Sequence, residues 1–384
     1  MNKFDSIRPY CDADLQEVLG KLKHNPELID IIVTYRFAHW PSLARPLLKT
    51  LTRWVINYHL SKVKTVRDFQ LLIEPYMQQM IDTTTAKFTI SGLDEIDLSK
   101  PCLFISNHRD IAMDPAFVNW ALHTNGKDTV RIAIGDNLLT KDWVSDLMRL
   151  NKSFIVNRSA EGKREKLAAS KLLSEYIYFS LTEEKQHIWI AQREGRAKDG
   201  NDLTNPAIIS MITLNKPKQE PFADYIRELR IVPVAISYEY DPCDQTKASE
   251  LYQKEVSGTY EKQDHEDIMS ISRGIVGYKG QVHLHFGKPI TEDFDGAKEV
   301  AEYLDQAIIS GYHCFATNVL AAKKMAVTGS DSLLARYSTE DIRRAEQYFN
   351  KRTLDLNVEV GQKLLSMYAA VIVNQQNIHK SMHS

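Results

Sequence analysis

The chain reads as an α/β protein: a central mixed sheet of about seven strands flanked by helices, with helical additions at both ends. Three observations predict this. Short apolar runs alternate with longer helical stretches between residues 86 and 292. Residues 1–85 carry helical periodicity without alternating strand runs, and helical patterning returns beyond Glu292. The length, 384 residues, exceeds what one simple core organises and suits one sizeable α/β unit with helical flanks. The expected division is a helical N-terminal region over 1–85, an α/β domain over 86–292 and a helical C-terminal region over 293–384.

The strand candidates, in order, are Lys87–Ser91, Cys102–Ser106, Val130–Ile134, Ser153–Asn157, His187–Ala191, Ile231–Ser237 and Gln281–Phe286. Helical patterns rich in Lys, Leu, Ala and Glu lie between them, as in Arg164–Thr182. The segment Asp241–Gly280 is highly charged and lacks a strong period, so it reads as a surface excursion with one helix. Helices are again expected over Ala297–Ile309 and Glu340–Lys351.

Composition narrows the setting. Apolar content of 43% and charged content of 26% are those of an ordinary globular protein. A net charge of −2 favours no partner class, so local charge has to carry that question. No run approaches the roughly 18 apolar residues of a spanning helix. The opening MNKFDSIRPYCDADLQ has early acids and no apolar core, unlike a secretory signal. Cys11, Cys102, Cys243 and Cys314 show no paired spacing and read as reduced thiols, not a disulfide frame or zinc site. The expectation is a cytoplasmic protein, soluble or peripheral on a membrane.

Local charge does speak between Ile31 and Arg67. That stretch contains no Asp or Glu, but it holds Arg36, Arg45, Lys49, Arg53, Lys62, Lys64 and Arg67. Leu43, Leu47, Leu48, Leu51, Trp54, Val55 and Tyr58 recur at helical spacing, while Arg45, Lys49 and Arg53 line a second face. Pro46 fits the first turn of such a helix. One reading lays the helix in the interface plane of an anionic membrane. The other packs its apolar face on the protein core and leaves the cations solvated. Nucleic acid is not expected, because no recognition module accompanies the charge.

The segment CLFISNHRDIAMDPAFVNWAL carries the most chemistry. An apolar strand ends at Ser106–Asn107, and His108 follows at once. Asp114–Pro115 then opens an apolar helical run, with Asp114 expected at the N-cap and Pro115 at the first helical position. Carboxylates stand two and six residues after His108, at Asp110 and Asp114, and either can hold the imidazole in one tautomer as a general base. A plain helix cap beside a polar loop histidine is the competing explanation. A metal site at His108, Asp110 and Asp114 is disfavoured, since no second His or Cys stands at ligand spacing.

NHRDIAMD resembles the first motif of the glycerol-phosphate and lysophosphatidate acyltransferase superfamily, a His followed by an Asp within a strand-to-helix turn. That family sets its Asp five residues after the His; here Asp114 is six after His108 and Asp110 two after it. Asp114 is the preferred equivalent because it precedes the apolar helix, with Asp110 the alternative. Further blocks follow in the family's order. KSFIVNR, ending in Arg158, is similar to the second motif, with Lys152 or a neighbour where a Gly usually stands. AQREGRAKDG, with Glu194 and Gly195, resembles the third; Arg196 is two residues after the Glu, Ala197 fills the usual Arg position, and Lys198 is four after it. IVPVAISYEYDP looks like the fourth, and VHLHFGKPI resembles the strand that closes the domain.

The resemblance implies a fatty acyl transfer from an acyl thioester, acyl-CoA or acyl-ACP (acyl carrier protein), to a hydroxyl of glycerol-3-phosphate or 1-acyl-glycerol-3-phosphate. It implies no metal and no bound cofactor. His108, with Asp114 or Asp110, would be catalytic; Asn107, Arg109, Arg158, Glu194, Gly195, Arg196 and Lys198 would bind substrate. Arginines at strand ends suit a phosphate through paired hydrogen bonds. Backbone N–H groups near Gly195 or at the helix start after Asp114 could stabilise an oxyanion. The implied partners are the acyl carrier, the phosphorylated acceptor and the cytoplasmic face of an anionic membrane. A protein kinase is excluded: Pro115 stands where the kinase HRD motif needs its metal-binding Asn, and no GxGxxG or DFG is present. No GxSxG elbow is present either, so no acyl-enzyme is expected. The competing non-enzyme expectation is a membrane-surface lipid-binding protein on the same scaffold.

Overall fold

Among the described residues seven strands form, each within two residues of its expected bounds. A computed structural model describes residues 3–37, 39–262 and 265–383. In chain order, the first stretch holds α1 (Leu15–His24), α2 (Pro26–Arg36), α3 (Arg45–Leu60), α4 (Val66–Thr84), β1 (Thr85–Ser91), β2 (Leu103–Ser106) and α5 (Met113–Thr124). There follow β3 (Arg131–Gly135), α6 (Asp142–Leu150), β4 (Ser153–Val156), α7 (Gly162–Thr182), β5 (Ile188–Ala191), α8 (Pro206–Ile212), α9 (Phe222–Glu228) and β6 (Ile231–Tyr238). The remainder is α10 (Asp244–Ser257), α11 (Glu266–Val276), β7 (Gly280–Phe286), α12 (Ala297–Ser310), α13 (Ala316–Lys324), α14 (Ser330–Leu334), α15 (Thr339–Thr353) and α16 (Val358–His383).

The chain divides into two compact units, residues 1–79 with 131–176, and residues 80–130 with 177–384. In the larger unit the strand order is β1-β7-β6-β2-β5. β1 runs parallel to β7, β6 antiparallel to β7, and β2 parallel to both β5 and β6, so the sheet is mixed, as expected. β2 is buried at every residue, which is why its sequence is an unbroken apolar run instead of an alternating one. β7 alternates: Val282, Leu284 and Phe286 are buried, with His283 and His285 on the other face.

The C-terminal helices build their own core in this unit. Val319, Leu320, Phe349, Leu364, Met367 and Tyr368 pack with Ala248 of α10. The charged excursion expected over Asp241–Gly280 therefore differs from its reading in two ways. It holds two helices, α10 and α11, and α10 buries Asp244, Lys247 and Glu250. Charge-rich sequence reads as surface, but these charges have partners contributed by distant segments.

The smaller unit carries the parallel pair β3–β4 and a helical cluster in which Leu15, Leu19, Leu22, Leu60, Phe69 and Leu150 meet. Ile29 and Val33 of α2 pack on Leu48 of α3. Leu48, Thr52 and Leu60 form the buried face of α3. A second apolar stripe, Leu43 in the turn before α3 and Leu47, Leu51, Trp54, Val55 and Tyr58 within it, is exposed, Leu43 by 94% and Trp54 by 65%. Pro46 lies in the first turn, where its missing N–H costs nothing. Among the described residues no helix is long and apolar enough to cross a membrane.

Candidate active site

The larger unit places His108 in the loop that leaves β2, the buried central strand, and precedes α5. The loop's position is set on three sides. The Asn107 side chain, fully buried, donates to the Ile236 carbonyl at 3.0 Å and accepts from its N–H at 2.8 Å, which ties the loop to β6. The His108 N–H donates to Asp202 Oδ2 at 2.8 Å, and the His108 carbonyl accepts from the Ala197 N–H at 3.0 Å. Asn107, expected to bind substrate, has its side-chain amide bonded to the Ile236 backbone.

The two acids near His108 take different roles. Asp114 Oδ2 lies 2.9 Å from His108 Nδ1 and also accepts the N–H groups of Arg109 (2.6 Å) and Asp110 (2.9 Å). Its Oδ1 accepts from the Tyr238 hydroxyl at 2.7 Å. A fully buried carboxylate that accepts from so many donors fixes the tautomer: Nδ1 carries the proton, and Nε2 presents its lone pair. Nε2 has no hydrogen-bond partner among the described residues. Asp110 instead accepts from the N–H groups of Ala112 and Met113 at 3.0 and 2.9 Å, so it caps α5. Asp114 is therefore not the N-cap, and Pro115 is not the first helical residue; α5 begins at Met113. The same capping occupies the N–H groups of Ala112 and Met113, and the Ala116 N–H donates to the Ala112 carbonyl.

Burial shapes the electrostatics. It pushes the Asp110 carboxyl above its ordinary value, and the Asp114 charge adds to this. Burial raises Asp202 as well. Tyr238 is held far above the phenol range by burial and by the Asp114 carboxylate, so it remains a donor at any physiological pH. The His108 and Trp189 rings meet edge to face with centroids 5.9 Å apart, an apolar wall beside the imidazole.

The third block, Glu194–Lys198, lies beside this loop through the Ala197 contact. Gly195 has φ +70°, and nothing stands within 4 Å of where its Cβ would be, so backbone conformation, not close approach, is what calls for glycine. Glu194 is exposed. Arg196 approaches Asp267 of α11 at 3.8 Å, and Lys198 is ion-paired with Glu250 of α10. Arg109 makes no side-chain hydrogen bond or ion pair among the described residues; burial opposes its charge, and Asp241 and Asp202 more than offset that. Arg158 belongs to the smaller unit. Its N–H donates to Asp136 at 3.0 Å, and its side chain passes over Gly135, where an added Cβ would stand 2.9 Å from Nε. In that unit Lys152, where the resemblance led us to expect glycine, has φ +61°, the region glycine occupies without strain. Among the described residues no three His, Cys, Asp or Glu side chains converge to hold a metal.

Tyr238 and Asp202 escaped the sequence reading. Tyr238 stands inside the block IVPVAISYEYDP, yet no spacing joins it to an acid 124 residues away. Asp202 is an ordinary loop acid in sequence; only the fold brings it to the His108 N–H.

No curated protein matches the chain. Among solved structures it is similar to the 1-acyl-sn-glycerophosphate acyltransferase PlsC from Thermotoga maritima, at 12% identity and a TM-score of 0.40, over 85% of this chain and 96% of that one. Residues 87–237, which contain His108, Asp114 and the Glu194–Lys198 loop, match the family model described as Acyltransferase. The match assigns an acyltransferase domain to that segment, the region in which the sequence motifs fall.

Proposed function

We propose that the protein joins a fatty acyl group from acyl-CoA or acyl-ACP to a hydroxyl of glycerol-3-phosphate or 1-acyl-glycerol-3-phosphate, working at the cytoplasmic surface of a membrane. The observation that carries this reading is the His108–Asp114 pair, with Nδ1 bound and Nε2 without a hydrogen-bond partner among the described residues. Nε2 takes the proton of the acceptor hydroxyl as its oxygen attacks the thioester carbonyl. Asp114 stabilises the imidazolium that forms, as the acid of a serine hydrolase triad does, while the substrate itself supplies the nucleophile. The tetrahedral intermediate then collapses; its C–S bond breaks and the imidazolium returns the proton to the leaving thiolate. The Arg109 guanidinium, free of side-chain partners, is suited to the acceptor's phosphate. Arg196, held only loosely by Asp267, can join it.

The exposed stripe of α3 supports a peripheral membrane setting. Apolar side chains from Leu43 to Tyr58 face solvent along one side, and Trp54 stacks on Tyr58 with centroids 5.9 Å apart. Arg45 and Arg53 are exposed beside them, whereas Lys49 pairs with Asp30 of α2 at 2.6 Å. An amphipathic helix of this kind binds anionic bilayers by apolar insertion plus roughly 1 kcal/mol per nearby cation.

The test offers both donors and both acceptors to the purified protein and follows thiol release together with the acylated product. Transfer to one or both phosphorylated acceptors supports the reading. A protein that floats with anionic liposomes yet transfers to neither acceptor is the non-catalytic lipid binder.

A further inference from the structure

A single peptide group in the catalytic loop is held between two opposite charges. The Asp110 N–H donates to Asp114 Oδ2 at 2.9 Å, and the Arg109 carbonyl accepts from Lys247 Nζ at 2.7 Å. These two atoms are opposite ends of one planar trans amide. A carboxylate at its N–H end and an ammonium at its C=O end align with the peptide dipole, and charge-assisted hydrogen bonds of this sort are about twice as strong as neutral ones. Rotation of that peptide would remove one of the donors that hold the Asp114 carboxylate against His108.

Lys247 is itself held from the C-terminal helices. The residue is 2% exposed, and its ammonium also donates to Asp241 Oδ2 at 2.5 Å. Burial pushes the Asp241 carboxyl up, and the Lys247 and Arg109 charges outweigh it and keep the group ionised. The Asp241 N–H donates to the Tyr368 hydroxyl of α16 at 2.9 Å. The hydroxyls of Tyr348 (α15) and Tyr368 reach Asp244 Oδ2 at 2.6 and 3.1 Å, and Arg352 Nε donates to Asp244 Oδ1 at 2.8 Å. Every link is buried or half-buried, and the anchoring helices lie outside the segment 87–237 that matches the family.

We propose that Lys247 is a positioning residue of the catalytic loop, clamping the Arg109–Asp110 peptide against Asp114, and that α15 and α16 serve as its anchor. The proposal rests on the acyl-transfer reading for its kinetic consequence but not for its structural one. Among the described residues the charged and titratable groups around His108 are Asp114 from α5, Tyr238 from β6, Asp202 from the loop after β5, Tyr312 from the segment after α12, Arg109 and Asp110 from its own loop, and, beyond the peptide, Lys247 from α10. Losing the Lys247 cation and loosening an N–H from Asp114 both favour the protonated imidazole. A base is lost as pH falls through its pKa, so the acid limb of the rate profile moves to higher pH.

The experiment compares wild type with Lys247→Met in the full chain. Thermal unfolding establishes that the variant is folded, kcat and KM are measured across pH, and the His108 ring resonance is titrated by NMR after assignment against His108→Ala. We expect kcat to fall about 10- to 100-fold with KM changed less than about threefold, and the acid limb to rise by roughly half a pH unit or more. The ring titration should move in the same direction. Should Lys247→Met fail to fold, Lys247→Met/Asp241→Asn, which removes both charges of that ion pair, carries the same expectation for kcat. A folded variant with wild-type kcat, acid limb and ring titration overturns the proposal. If wild type transfers no acyl group, the proposed function fails instead, and the ring titration still decides the role of Lys247.

Discussion

The larger unit holds two histidine sites on opposite faces of one sheet, and their partners make them different chemical objects. His108 is hydrogen-bonded to a buried carboxylate. On the other face His283 is bracketed by hydroxyls, Thr89 Oγ1 at 2.7 Å from Nδ1 and Ser91 Oγ at 3.0 Å from Nε2, with the His313 ring 5.0 Å away. Ser91 also reaches His285 Nδ1 at 2.9 Å. Burial and the neighbouring histidines push His283 down to about 4. Hydroxyls satisfy a neutral imidazole but do not stabilise its cation, whereas a carboxylate does both. The acid partner, not the histidine or its burial, is what makes a base that can accept a proton and hold it through a transition state.

Removing that partner breaks the comparison most severely. Asp114→Asn keeps the shape but permits the wrong tautomer, and should lower kcat about 10²- to 10⁴-fold with little change in unfolding temperature; steady-state transfer assays measure it. Tyr238→Phe is a milder cut. It deletes one hydrogen bond to the carboxylate, a group worth about 1.5–3 kcal/mol, so a loss of roughly tenfold in kcat/KM is expected. With one donor gone, Asp114 favours the imidazolium more strongly, and the acid limb of kcat/KM moves to higher pH. The hydroxyl-bound site should leave catalysis alone. His283→Gln is expected to keep near-wild-type transfer and to alter only stability against acid. The unfolded chain binds a proton at His283 near its ordinary value of 6.5, while the folded chain waits until about 4. Stability from this group is therefore whole above 6.5 and lost as pH falls between these values; denaturation at pH 7 and pH 4.5 should show a smaller drop for the variant.

Much of this fold was legible because its strands are buried apolar runs with sharp ends, and burial leaves a periodic trace. β2 and β6 are plain in the sequence for that reason. His108 and Asp114 were legible because a strand, a turn and a helix start fall within a few residues of each other. The division of labour between Asp110 and Asp114 was not, since cap and orienting acid differ only in where each carboxyl points. Tyr238, Asp202 and Lys247 were hidden for a different reason: their partners are 124, 94 and 138 residues away. The segment around α10 misled because sequence shows charge but not its counter-charge. Asp244 is fully buried only because Arg352, Tyr348 and Tyr368 come from the far end of the chain. The apolar stripe of α3 posed the reverse problem: periodicity revealed an amphipathic helix, and only its packing showed that Leu48, Thr52 and Leu60 face inward while Trp54 and Tyr58 do not.

The central claim is that the imidazole of His108, aimed by Asp114, takes the acceptor's proton. It is tested most directly by measuring thiol release and acylated product for wild type and His108→Ala under identical donor, acceptor and pH. The account predicts transfer by wild type and a loss of at least about 10³-fold in the variant, with unchanged unfolding temperature. Transfer by a folded His108→Ala protein within a few-fold of wild type would contradict it.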